Sequence, residues 1–176
     1  MAGDLPLRRQ RVVGLIGCPG AGKTTYARRF EPSEGWVHLT LDDFRQTLWP
    51  PDRRVYWEVR RRGWDGPAHR LLHAVKVAAL DTALTQGFSV VMADTHLTRT
   101  VFEEELEVVV RHGLSVEWKV FDVPWEVLQA RNEERAAHDP SHRQPEDVLR
   151  FTYNAFHATE AWWRTLPSGQ VEIIEG

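Results

Sequence analysis

Residues Gly17 to Thr24 read GCPGAGKT, a full match to GxxxxGK[ST]. No other feature constrains the fold as much, because the pattern works only where a strand delivers the glycines and a helix begins at the lysine. Both are in place. The apolar run VVGLI at 12–16 precedes the loop and the helical segment TTYARRF follows it. Glycines at these spacings let successive backbone N–H groups turn inward around an anion, and a helix N-terminus adds about half a positive charge. Lys23 then reaches the β and γ phosphates of a nucleoside triphosphate, and Thr24 offers its hydroxyl to the accompanying Mg²⁺. Gly17, Cys18, Pro19, Gly20, Ala21, Gly22, Lys23, Thr24 and Thr25 form the candidate nucleotide-binding segment. Cys18 sits in that electropositive loop, which is expected to lower its thiol pKa and expose it to thiol reagents.

Beyond the loop, short Val- and Ile-rich runs alternate with segments of helical period, the signature of a parallel α/β sheet. Strands are predicted over 12–16, 36–41, 88–93, 115–121 and 171–174, giving a mostly parallel five-stranded sheet flanked by helices. Pro67 is expected to open a helix with Leu71, Leu72, Val75, Ala79 and Ala83 on one stripe and Gly87 as its stop. Thr100 and Glu103 read as a capping box ahead of Leu106, Val109 and Val110, so the run Glu103 to Glu105 is expected to be a solvated first turn. A last helix, starting near Pro145, places Leu149, Thr152, Phe156 and Trp163 on one face. Three strands end in a glycine loop or a carboxylate, with Gly17 after the first, Asp42 after the second and Asp94 after the third. Ligands of an open parallel sheet bind at that edge, so the chemistry should converge there.

Asp42-Asp43-Phe44-Arg45-Gln46 carries a reactive pattern of its own. A carboxylate near the γ phosphate accepts the proton of an attacking hydroxyl, and Arg45, one helical turn along, holds a second anion. That suits phosphoryl transfer to an alcohol; capping of the following helix by either aspartate is the alternative.

Composition removes several classes. At 42% hydrophobic and 27% charged, 176 residues fit one globular domain over 1–176. The net charge of -3 gives no global positive field, the single cysteine excludes a disulfide framework, and the start MAGDLPLRRQ has no apolar signal core. The expected setting is cytoplasmic, without membrane contact. Positive charge is local instead. Between Pro50 and Arg70, six arginines (Arg53, Arg54, Arg60, Arg61, Arg62, Arg70) oppose three acids and are interleaved with Tyr56, Trp57 and Trp64. A single-strand groove needs cations for phosphates and aromatic faces for bases, each stacked base contributing about 1–3 kcal/mol. A solvated charged helix with Trp57 turned inward is the plainer reading.

In order along the chain, GCPGAGKTTYARRF, LDDFRQTLW, VVMADTHLTR, VEWKVFDVPWEVLQARNEER and PEDVLRFTYNAF resemble the polynucleotide 5′-hydroxyl kinases, as in the kinase domain of the T-even phage polynucleotide kinase/phosphatase. The resemblance runs from Leu15 to about Phe156, and VFDVPWEVLQARN is its most specific stretch. It implies a P-loop kinase fold with a helical lid over about 124–145, ATP or another nucleoside triphosphate with Mg²⁺, and transfer of the γ phosphate to 5′-hydroxyl ends of DNA or RNA, products that a ligase joins. It implies that Lys23 and Thr24 hold the phosphates and metal, that Asp42 is the general base, and that Arg45 contacts the phosphate on the 3′ side of the acceptor nucleoside. Arg135 resembles the lid arginine that neutralises the donor phosphates, with Arg131 assisting from four residues earlier. Asp94 matches an aspartate needed for activity, while Thr95, Trp57, Arg60 and Arg61 fall on the acceptor side. HDPSHRQP at 138–145 is worded differently from the family lid, and no DxD phosphatase motif occurs, so 3′-phosphatase activity is expected to be absent. The family's oligomeric state does not carry over. Two other readings stay open: a P-loop kinase for a small-molecule alcohol such as a nucleoside or sugar acid, and a non-catalytic nucleotide-binding regulator.

Overall fold

The computed structural model describes residues 9–50, 54–96, 99–138, 144–166 and 170–176, with the backbone alone for 99–101. Five strands, β1 (Val12–Gly17), β2 (Trp36–Leu39), β3 (Ser89–Met92), β4 (Val116–Asp122) and β5 (Val171–Glu175), form one sheet ordered β2-β3-β1-β4-β5. Every neighbouring pair is parallel, so the sheet is wholly rather than mostly parallel. β1 lies at its centre, and Val12, Val13, Leu15 and Ile16 are each 0% exposed. A strand covered on both faces reads as a continuous apolar run without alternation, which VVGLI does. Its one gap in bulk, Gly14, is a packing requirement, since a Cβ there would fall 2.1 Å from the Trp118 ring of β4.

The helices are α1 (Lys23–Ala27), α2 (Leu41–Leu48), α3 (Arg54–Val59), α4 (Asp65–Thr85), α5 (Arg99–Arg111), α6 (Trp125–His138), α7 (Glu146–Ala158) and α8 (Glu160–Trp163). Four expectations need correction. β2 stops at Leu39 because the Thr40 hydroxyl accepts from the Asp43 N–H (3.1 Å) and caps α2, so Asp42 lies in the first turn of that helix and not at the strand end. α4 begins two residues before Pro67, and its buried stripe is Ala68, Leu72, Lys76, Leu80, Ala83 and Leu84; Leu71 is half-exposed. α5 starts one residue before Thr100, whose side chain lies outside the described residues, and Val110 faces outward. Glu105 is 1% exposed and not part of a solvated turn. α7 and α8 do bury Leu149, Phe156 and Trp163 together.

Two cores position the site. The main one gathers both faces of the sheet. A smaller one, Tyr56, Ala68 and Leu72 packed with Leu41, Phe44, Leu48, Trp49 and Val59, clamps α2 against α3 and α4. Tyr56 is the aromatic turned inward there, at 0% exposed, whereas Trp57 is 41% exposed. The strand order changes direction on either side of β1, which opens the crevice where ligands of such sheets bind.

Candidate active site

The phosphate loop links β1 to α1. Gly20 and Gly22 take φ of 88° and 102°, left-handed values that a side chain resists. Lys23 is buried and donates to the carbonyls of Gly17 (2.8 Å) and Cys18 (2.8 Å). Burial lowers its pKa to about 8, against the upward pull of Cys18, Asp94 and Asp42, and Arg135 lowers it further. A desolvated ammonium held only by neutral carbonyls is fitted to an arriving polyanion. Thr24 is exposed in the first turn of α1. Cys18 overturns its expectation: the side chain is 2% exposed, and burial raises its thiol pKa to about 11, outweighing the nearby Lys23. The thiol is packed under α7 against the Thr152 carbonyl, 3.8 Å away, which removes it from solvent reagents.

Two arginines of α6 face this loop. Arg131 Nη1 is 3.4 Å from the Gly20 carbonyl, and Arg135 Nη2 lies 2.9 Å from where a Cβ on Gly20 would fall. Arg135 Nε also donates to the Arg131 carbonyl at 3.3 Å. α6 is anchored by Asn132, whose amide donates to the Gln144 carbonyl and accepts from the Gln144 N–H, each at 2.9 Å. The intervening tip, 139–143, lies outside the described residues.

On the other side of the crevice, Arg45 Nη1 donates to Asp42 Oδ1 at 2.6 Å. The Arg45 guanidinium lies 5.1 Å from the Tyr56 ring centroid and 5.4 Å from that of Trp57. Arg60 approaches Trp57 to 5.0 Å and pairs with Asp65. Arg61, Arg62 and Trp64 are exposed, and Arg53 lies outside the described residues. Thr95 is brought to the phosphate loop, its carbonyl accepting from the Gly17 N–H (3.4 Å).

A buried chain of charges links these parts and was not anticipated. Asp94 Oδ1 accepts from the Leu41 N–H at 2.8 Å, and its Oδ2 meets Lys76 Nζ at 2.6 Å. Lys76 donates to Glu105 Oε1 at 2.5 Å, Glu105 Oε2 lies 2.9 Å from His96 Nε2, and His96 Nδ1 is 2.7 Å from the Leu15 carbonyl. Burial opposes both central charges, yet each is outweighed: Asp94 and Glu105 raise the pKa of Lys76, and His96 with Lys76 holds Glu105 well below the usual carboxylate range. Among the described residues no group of three or more His, Cys, Asp or Glu forms a metal cluster.

A central parallel strand, a glycine loop wrapped on a buried lysine and two arginines on a covering helix define an α/β P-loop nucleotide-binding protein. A family model described as an AAA domain matches residues 12–158, and the chain belongs to that family, which implies a nucleoside triphosphate ligand and, as a rule, Mg²⁺. Solved structures share the fold. A chain of the Pnkp1/Rnl/Hen1 RNA repair complex is 20% identical with a TM-score of 0.66, over 86% of this chain and 45% of that one. A sugar kinase from Janibacter sp. HTCC2649 is 21% identical (TM-score 0.63; 94% and 85% covered), and shikimate kinase from Acinetobacter baumannii in complex with shikimate is 17% identical (0.61; 96% and 84%). The chain thus spans less than half of the RNA-repair chain and most of each of the other two. At these identities the likeness establishes the P-loop kinase fold. No helix among the described residues is long and apolar enough to cross a membrane.

Proposed function

We propose that this protein is a polynucleotide 5′-hydroxyl kinase, transferring the γ phosphate of ATP or another nucleoside triphosphate to the 5′-hydroxyl end of DNA or RNA. The observation that carries this reading is the double engagement of Arg45, which holds Asp42 at 2.6 Å while its guanidinium lies beside the half-exposed Trp57. The candidate base is thereby joined to a surface rich in arginine and aromatic rings, of the kind that tracks a single strand. An acceptor phosphate arriving on Arg45 competes with Asp42 for the guanidinium, and Asp42 takes the proton of the attacking hydroxyl, while Arg135, Arg131 and Lys23 meet the charge on the transferring group. Thr24 would hold Mg²⁺, which neutralises charge on the donor phosphates when bound. Asp94 and Thr95 brace the loops, and Arg60, Arg61 and Trp57 carry the strand.

This reading treats 1–176 as one kinase domain with its lid over 124–145, acting in the cytoplasm. Its 5′-phosphate products are ends that a ligase joins, and the likeness to a chain of an RNA repair complex supports that functional link. A kinase for a small-molecule alcohol is the second reading, favoured by the 85% and 84% coverage of the sugar and shikimate kinases. Asp42→Asn tests the assignment of the base: transfer should fall about 10²–10⁴-fold with ATP affinity unchanged. Loss of ATP affinity in step with transfer would reassign Asp42 to the donor side.

A further inference from the structure

The buried chain of charges has a functional element at each end. At one end is the Leu15 carbonyl, two residues before Gly17 opens the phosphate loop; at the other is the Leu41 N–H, one residue before Asp42. Between them the members are almost wholly enclosed, with Lys76, Glu105 and His96 side chains each 1% exposed and Asp94 11%. Both ring nitrogens of His96 lie within hydrogen-bond distance of oxygens, Nδ1 of the Leu15 carbonyl and Nε2 of the Glu105 carboxylate. Lys76 thus stands between two carboxylates, Asp94 on the side of α2 and Glu105 on the side of His96. His96 holds φ of 50°, a left-handed conformation that persists in a non-glycine residue only where its surroundings over-determine it.

Stability alone does not account for such an arrangement, because apolar replacements of similar volume often serve as well as or better than buried ion pairs. What the chain does provide is direction. Asp94 has one oxygen hydrogen-bonded by the Leu41 N–H and the other in ion-pair contact with Lys76. We propose that Lys76, backed by Glu105 and His96, is a positioning residue for the transfer site: acting through Asp94, it fixes the first turn of α2, and with it Asp42, against the strand that enters the phosphate loop. The inference rests on the reading of Asp42 as the acceptor-side base. Lys76 touches neither nucleotide nor acceptor, and its effect falls on the alignment of base and donor, where small misplacements cost large factors in rate.

The test uses the full chain with Lys76→Met and with the charge-balanced pair Lys76→Met/Glu105→Gln, which removes one charge of each sign from the cluster. Amide hydrogen exchange by NMR should accelerate about tenfold or more at Leu41 in both variants while Leu15 and Val91 in the sheet keep their protection. With a 5′-hydroxyl oligonucleotide, kcat should fall about 10–100-fold with the Kd for ATP unchanged, and should stay low in the pair even as its unfolding midpoint recovers. Unchanged Leu41 exchange, or kcat returning together with stability in the pair, would reduce Lys76 to a structural ion pair and overturn the proposal. If the wild-type protein phosphorylates no 5′-hydroxyl end, the kinase reading fails separately, and the Leu41 exchange still decides whether Lys76 positions α2.

Discussion

Arg135 and Gly20 meet so closely that Arg135 Nη2 occupies the approach to the missing Cβ, 2.9 Å from where it would lie. Gly20→Ala therefore both strains a backbone at φ 88° and displaces Arg135. Gly113, at φ 70° and outside the site, has nothing within 4 Å of such a Cβ and serves as the control for strain alone. Both alanine variants should lose about 1 kcal/mol of stability in urea unfolding. Only Gly20→Ala should add a loss of about tenfold or more in phosphoryl transfer, and equal losses of transfer would mean that Arg135 is idle.

Lys23 predicts a proton linkage. Its pKa stands near 8 in the free protein because burial disfavours the ammonium, and phosphates raise it by favouring the charged form. Nucleotide binding at pH 8.5 should then take up a fraction of a proton, an uptake that vanishes at pH 6.5, where Lys23 is already charged. Calorimetric titration in buffers of different ionisation enthalpy measures this. An uptake that does not shrink toward pH 6.5, or that survives in Lys23→Met, would contradict it.

His73 gives the fold a pH dependence. Burial, followed by the charges of His69 and Lys76, lowers its pKa to about 4, so below pH 6.5 the unfolded chain binds a proton that the folded chain refuses. Stability from this group is complete above pH 6.5 and is lost as the pH falls toward 4. Between pH 6.5 and 5, above most carboxylate titration, the loss should be on the order of 2 kcal/mol. Urea unfolding of wild type and His73→Gln across that window should show the flatter profile in the variant; parallel profiles would count against the buried neutral ring.

The arginine surface predicts salt dependence. Acceptor KM should rise with salt, and Arg61→Ala should lower the slope of log KM against log salt by about 0.7, one phosphate's share for a single strand. Arg60→Ala should cost more, because Arg60 also lies over Trp57 and pairs with Asp65. A KM indifferent to salt would turn this segment into ordinary surface.

The fold was legible because its signals were local. VVGLI is apolar without interruption since β1 is covered on both faces, and the glycine loop can only follow such a strand. The crevice was legible for the same reason, each strand depositing its loop at one edge. The buried charges were not, because Glu105 sits in a run of three glutamates whose other two are exposed, and only the turn of α5 separates them. The available signal was Lys76, one of three lysines among 22 basic residues, at the core spacing Leu72, Lys76, Leu80. A lysine in an apolar stripe demands carboxylate partners. The end of β2 was misread for a similar reason: Thr40 three residues before Asp43 is a cap, and it moves Asp42 from strand to helix.

The central claim is that the acceptor is a nucleic acid end. The direct measurement is transfer of labelled γ phosphate from ATP with Mg²⁺ to short 5′-hydroxyl DNA and RNA oligonucleotides, beside mononucleotide, sugar and sugar-acid acceptors. Label on the oligonucleotide 5′ ends, lost in Asp42→Asn, is the predicted result. Label on a small acceptor alone would contradict it and make the protein a small-molecule kinase.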